Sequence, residues 1–188
     1  MTRMATATVH RATAADVDEI VRIQSGTWEA AYATLVPAEA LAQLRSEEAH
    51  KAWTAAVEAG HGQVLVATEG EWTVGFCAAS IAMPPEQAAP PTGPTLEPGA
   101  WAEISALLVE PRWGRRGHGG RLLATAAASL REAGAVYGLA WVPEADEASR
   151  RFYAHAGWEP DGTVRVLDTG AGELREVRIT GSLDLRLT

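Results

Sequence analysis

Cys77 is the one cysteine in 188 residues, so the chain cannot form an internal disulfide. Basic residues are also scarce, 16 against 24 acidic ones, for a net charge of -8. A general nucleic-acid binder needs a cationic face for phosphates, so nucleic acid is not expected as a partner, whereas an acidic surface suits cationic partners such as amines. Long apolar runs are missing too. None approaches the ~18 residues of a membrane span, and Met1 to His10 lacks the apolar core of a secretory signal. No membrane association and a cytoplasmic location are the resulting expectations. The five histidines are scattered without metal-ligand spacing, so no metal is expected and neither His118 nor His155 is assigned a catalytic role.

What is present reads as one globular domain over residues 1–188, since a chain of this length buries a sizeable core without staples. A first strand is predicted over Thr8 to Arg11. Thr13 to Asp16 is a capping box opening a helix in which Val17, Ile20, Val21 and Gln24 recur at helical spacing. Ser46 is an N-cap, with Glu47 and Glu48 in the first turn, Ala49, Ala52, Trp53, Ala56 and Val57 on one face, and Gly60 as the stop. Gln63 to Thr68 and Trp72 to Ala82 form a hairpin turning at Gly70. Cys77 lies in the apolar run of the second strand and reads as a buried thiol rather than a nucleophile. Residues 83–99 are proline-rich and are expected to be an exposed loop inserted within the domain. A strand from Trp101 to Val109 follows, then a Gly/Arg loop, and a helix from Gly119 to Ala133 with Leu122, Leu123, Ala126, Ala127 and Leu130 inward. Beyond it come a strand from Ala135 to Val142, a helix from Glu147 to Ala156, and strands over Trp158 to Leu167 and Leu174 to Leu187.

The loop Arg115-Arg116-Gly117-His118-Gly119-Gly120 stands between a strand and a helix, where backbone N–H groups converge at a helix N-terminus. Glycines admit a phosphate without a Cβ clash and the arginines add charge, so a pyrophosphate is a natural ligand. The dinucleotide fingerprint fails because Leu122 stands where its third glycine is required. A Walker loop starting at Gly114 fails because Gly120 and Arg121 stand in place of Lys and Ser/Thr. Taken alone, the same residues also fit a plain glycine turn.

The run Val109-Glu-Pro-Arg-Trp-Gly-Arg-Arg-Gly-His-Gly-Gly-Arg-Leu-Leu123 resembles the acetyl-CoA-binding motif A of GNAT acetyltransferases. Gly117 and Gly119 match its two glycines, and Gly114 replaces the leading Gln/Arg. Downstream, Ala148-Ser-Arg-Arg-Phe-Tyr-Ala-His-Ala-Gly-Trp158 resembles motif B of the same family, with Asp146 in the usual Asn place and better read as a helix N-cap. The resemblance implies an α/β (α+β) fold: a mixed, mostly antiparallel sheet of about six or seven strands, flanked by helices and splayed at the CoA-binding strand. It implies transfer of an acetyl group from acetyl-CoA, as co-substrate, to a primary amine of a small molecule or protein by direct attack in a ternary complex. Cofactor contacts are implied for Leu107, Leu108, Val109, Arg115, Arg116, Gly117, His118, Gly119, Gly120 and Ser149. Glu103 is the implied general base and Tyr153 the implied general acid for the leaving thiolate.

Thr27 to Tyr32 and the following Leu35-Val-Pro-Ala-Glu resemble a bacterial subgroup in which this region borders the acceptor, so Trp28 and Tyr32, at i and i+4, are candidate acceptor contacts, and Trp101 is a third. A non-catalytic acyl-CoA-binding sensor or assembly module is the alternative reading. A homodimer is conceivable through exposed strand edges at the splayed sheet or through the C-terminal strand.

Overall fold

The computed structural model describes residues 6–60, 62–82, 99–170 and 172–185. Among these residues seven strands form one sheet: β1 (Ala7–Arg11), β2 (Gln63–Glu69), β3 (Trp72–Ile81), β4 (Trp101–Val109), β5 (Tyr137–Pro143), β6 (Glu159–Asp168) and β7 (Glu173–Ser182), in the spatial order β1-β2-β3-β4-β5-β7-β6. Every neighbouring pair is antiparallel except β4 and β5, which run parallel. The expected mixed sheet is therefore present. Of the proline-rich loop, only Gly99 falls within the described residues.

Among the described residues five α-helices cover the sheet. α1 (Val17–Tyr32) and α3 (Glu47–Glu58) pack on one face, where Ile20 and Ile23 meet Val64, Val66, Phe76 and Ala78, with Trp53 and Val57 against them. α4 (His118–Glu132) and α5 (Glu147–His155) cover the other face, with Leu122, Leu123, Ala126, Ala127 and Leu130 all buried as their spacing predicts. A short α2 (Ala38–Gln43) was not expected. It stands after Pro37, whose fixed φ suits a helix entry, and buries Leu41 against Tyr32 and Val36.

The helix starts follow their sequence signals. Thr13 N–H donates to Asp16 Oδ2 at 2.8 Å, a 3-10 turn over Ala14–Asp16 leads into α1, and Ser46 Oγ accepts from Ala49 N–H at 3.1 Å. One expectation fails. The C-terminal strand β7 is inserted between β5 and β6, so it offers no free edge for pairing; the sheet edges are β1 and β6. Among the described residues no helix is long and apolar enough to cross a membrane.

Trp158, just before β6, pins the far half of the sheet. Its indole lies over two glycines, and a Cβ added at Gly138 of β5 or Gly181 of β7 would fall 2.2 Å from it in each case. Its Nε1 donates to the Ser182 carbonyl at 3.0 Å, which satisfies the one polar atom of a side chain only 1% exposed. Gly26, inside α1, has nothing within 4 Å of an added Cβ. Gly181→Ala is therefore expected to destabilise the fold by about 1–3 kcal/mol through overpacking. Gly26→Ala should stabilise it by roughly 0.5–1 kcal/mol through helix propensity. Urea unfolding of the two variants measures both, and equal effects at the two positions would refute the packing account.

Candidate functional site

β4 organises the site. Along β3 it is paired almost throughout, but the register jumps between Ala106, opposite Ala78, and Ile104, opposite Ala79, so Ser105 is an extra residue in a β-bulge. The bulge reverses the alternation of side chains. Ala102 and Ile104 belong to the core under α4, and so do Leu107 and Val109, whereas Ala106 and Leu108 pack toward α1. Glu103, between Ala102 and Ile104, consequently faces the α1 side.

On its other edge β4 pairs with β5 only from Trp101 to Glu103, against Tyr137 to Leu139. Beyond that point the strands part. The backbone of Ile104 to Val109 is left without ladder partners on this edge among the described residues, and a cavity of about 240 Å³ opens in the wedge. Glu103, Leu107, Leu108, Ser149, Tyr153, Trp28 and Tyr32 all line it, so the structure brings together residues expected from three separate stretches. Trp101 is a correction. It sits where β4 and β5 are still paired, 1% exposed with its ring against Tyr137 at 5.3 Å, and does not line the cavity.

Tyr153 is buried in the α5 core, stacked on Trp158 at 5.4 Å and edge-on to Phe152. Burial raises its pKa far above that of a free tyrosine, with Cys77 adding to the effect. Among the described residues its hydroxyl has no hydrogen-bond partner. Burial also pushes the Cys77 thiol up to about 12, which removes it as a nucleophile. Tyr32 donates to Asp146 Oδ2 at 2.6 Å, and its pKa is raised first by burial and then by that carboxylate. Asp146 caps α5 as expected, accepting from Ser149 N–H at 2.9 Å and Ser149 Oγ at 2.8 Å. These bonds tie the end of α1 to the start of α5 across the cavity, with the Trp28 and Tyr32 rings 5.0 Å apart on one helix face.

The Gly/Arg loop runs from a 3-10 turn at Pro111–Trp113 to α4. Arg115 and Gly117 both take left-handed conformations, φ 63° and 83°, and Gly117 is the N-cap. Having no side chain, Gly117 leaves the first-turn N–H groups of His118, Gly119 and Gly120 unpaired among the described residues, which suits an anion. Gly119 packs closely as well, since an added Cβ would lie 3.1 Å from the Phe152 ring. The His118 ring points inward. It is 2% exposed, and its Nε2 donates to Glu69 Oε2 at 2.8 Å. Glu69, at the end of β2, also accepts from Arg116 Nη1 at 3.0 Å, while Arg116 lies over Trp113 at 4.9 Å. The His118 hydrogen bond first, and the Arg116 guanidinium with it, hold the Glu69 carboxyl below its usual range. Position 118 thus serves the loop by anchoring it and by its backbone N–H. Arg115 is exposed.

Further lining residues were not singled out as site residues from the sequence, among them Gln24, Trp141, Arg165, Leu167 and Glu176. The Gln24 position on the α1 face of Trp28 and Tyr32 was readable from the i, i+4, i+8 spacing. Those on β5, β6 and β7 are brought in by strand order alone. A wider groove of about 780 Å³ lies beside α1 and α3, crossed by the Arg22–Glu110 ion pair, and holds none of the expected residues. Among the described residues no group of three or more side chains suits a metal ion.

The fold matches solved structures closely at low identity. A PaiA N-acetyltransferase from Thermoplasma acidophilum, in complex with coenzyme A, superposes with a TM-score of 0.73 at 14% identity, covering 94% of this chain and 99% of that one. A ribosomal-protein-alanine N-acetyltransferase from Brucella melitensis gives 0.68 at 20%, covering 93% and 99%. The YncA structure from Salmonella typhimurium, with its cofactor acetyl-CoA, gives 0.60 at 18%, covering 97% and 96%. No curated protein matches. The model of the acetyltransferase (GNAT) family matches residues 18–158, which include the bulged strand, the glycine loop and α5, and the chain belongs to that family.

Proposed function

We propose that the chain moves an acetyl group from acetyl-CoA to a primary amine of a small molecule or protein by direct attack within a ternary complex. The observation that carries this reading is the pair of groups lining one cavity: Glu103, on the α1 face of β4, and the protonated hydroxyl of Tyr153 from α5.

Each step has a group suited to it. Glu103 takes the proton from the amine, directly or through a water, as the amine nitrogen bonds to the thioester carbonyl carbon. N–H groups on the open edge of β4 offer hydrogen bonds to the carbonyl oxygen as charge builds there. When the carbon–sulfur bond breaks, Tyr153 gives its proton to the departing thiolate, and the Glu103 proton and the tyrosinate exchange with solvent to restore the starting state. The open N-terminus of α4, with Arg115 and Arg116 beside it, supports binding of the diphosphate of acetyl-CoA, and Leu107, Leu108 and Val109 offer the backbone edge that supports the pantetheine arm. Ser149 stands at the α5 start beside that path, and Trp28 and Tyr32 favour an acceptor entering on the α1 side.

Acetyl-CoA and CoA, but not ATP or NAD, are expected to raise the melting temperature. At a concentration near 100 times Kd the stabilisation is about 2.7 kcal/mol, or roughly 5–10 °C for a chain of this size. No shift at millimolar acetyl-CoA would discard the loop assignment. Tyr153→Phe and Glu103→Gln should each lower kcat about 100-fold or more while leaving the acetyl-CoA shift intact, as thiol release and melting curves together report. Full activity in either variant would remove that residue from its role. Acetyl-CoA binding without thiol release from any amine would instead favour the acyl-CoA sensor.

A further inference from the structure

We propose that the acceptor is a small primary amine that carries a carboxylate, recognised by Arg165 stacked on Trp141; the proposal rests on the acetyl-transfer reading above. Two guanidinium groups lie near the Trp141 ring of β5, Arg165 at 4.4 Å and Arg178 at 5.8 Å from its centroid. The two arginines differ in how far their donors are used. Arg178 is 3% exposed and committed to the protein, its Nε donating to Asp161 Oδ2 at 2.6 Å and its Nη2 to Thr163 Oγ1 at 2.8 Å. Arg165 lines the cavity, its side chain is 42% exposed, and only its Nε is used, in a bond to Glu176 directly across the β6–β7 ladder.

The Nη1 and Nη2 groups of Arg165 have no partner among the described residues. They are the end of the guanidinium whose spacing matches the two oxygens of a carboxylate. Stacking on Trp141 and the Nε bond to buried Glu176 restrain that end, so less side-chain entropy is lost when a ligand is bound. The acceptor must also be small. Glu103 and Arg165 line the same cavity of about 240 Å³, and a group held by each belongs to one short molecule. An amine directed to Glu103 and a carboxylate held by Arg165 describe an amino acid or a close relative of one.

The test measures thiol release from acetyl-CoA with the common α-amino acids, their carboxamides, and a simple diamine, at one fixed pH. At least one amino acid should react with a kcat/KM about 10- to 100-fold above that of its amide, the range set by a hydrogen bond between charged groups. For that substrate Arg165→Gln should raise KM by the same factor with kcat changed less than about twofold, and should leave the amides unaffected; a merely structural ion pair would shift all substrates together. Amides or the diamine reacting as well as the amino acids would overturn the proposal while leaving acetyl transfer standing. So would an unchanged KM in Arg165→Gln. The comparison of amino acid with amide needs no variant, so it decides the matter even if Arg165→Gln does not fold. If no amine reacts and acetyl-CoA gives no thermal shift, the acetyl-transfer reading itself falls.

Discussion

Three residues of parallel pairing, Trp101 to Glu103 against Tyr137 to Leu139, hold β4 to β5 before the strands diverge. A sheet that continued its ladder here would have neither cavity nor free backbone edge, because the N–H and C=O groups of Ile104 to Val109 that face this edge would be spent on β5. Parting the strands leaves polar backbone exposed in the middle of the sheet, where it is available to hydrogen-bond an extended chain. The bulge at Ser105 acts at the same point, since it re-aims the rest of β4 so that Leu107 and Val109 close the core while Glu103 remains toward α1.

The wedge has to be held open by the elements around it. At its closed end Trp158 packs on Gly138 and Gly181, filling a space that only glycines leave, and fixes β5 against β7. Across its mouth the Tyr32–Asp146–Ser149 hydrogen bonds join α1 to α5. On the side of the glycine loop Glu69 reaches from the β2–β3 hairpin to His118 and Arg116, so the position of the open α4 N-terminus depends on a strand two places from β4 in the sheet. The left-handed Arg115 and Gly117 give this loop its curvature, and the Glu69 contacts restrain it.

The two faces of the wedge have different chemistry. The α4 and α5 side supplies unpaired backbone donors and the buried hydroxyl of Tyr153. The α1 side supplies aromatic rings, a carboxylate, and an arginine with part of its donor set uncommitted. Electrostatics alone, read from the net charge of -8, gives no hint of that arginine.

Features with short-range causes were legible in the chain. The sequence placed α3, α4 and α5 within a residue or two, Thr13 and Ser46 marked helix starts, and Gly117 and Gly119 marked the loop that opens α4, since these depend on neighbours three or four residues away. Glu103, Tyr153, Trp28 and Tyr32 were reached through motif and spacing, and they line the cavity together. Trp101 matched the same kind of reasoning yet lies in the paired part of the sheet, because strand spacing says nothing about where two strands cease to pair. Only the tertiary structure decided that β7 enters between β5 and β6, that Glu69 anchors His118, and that Trp141, Arg165 and Glu176 meet Gln24 and Trp28 around one cavity. Those contacts join residues tens of positions apart through strand order, a property of the whole sheet that no local pattern of side chains encodes.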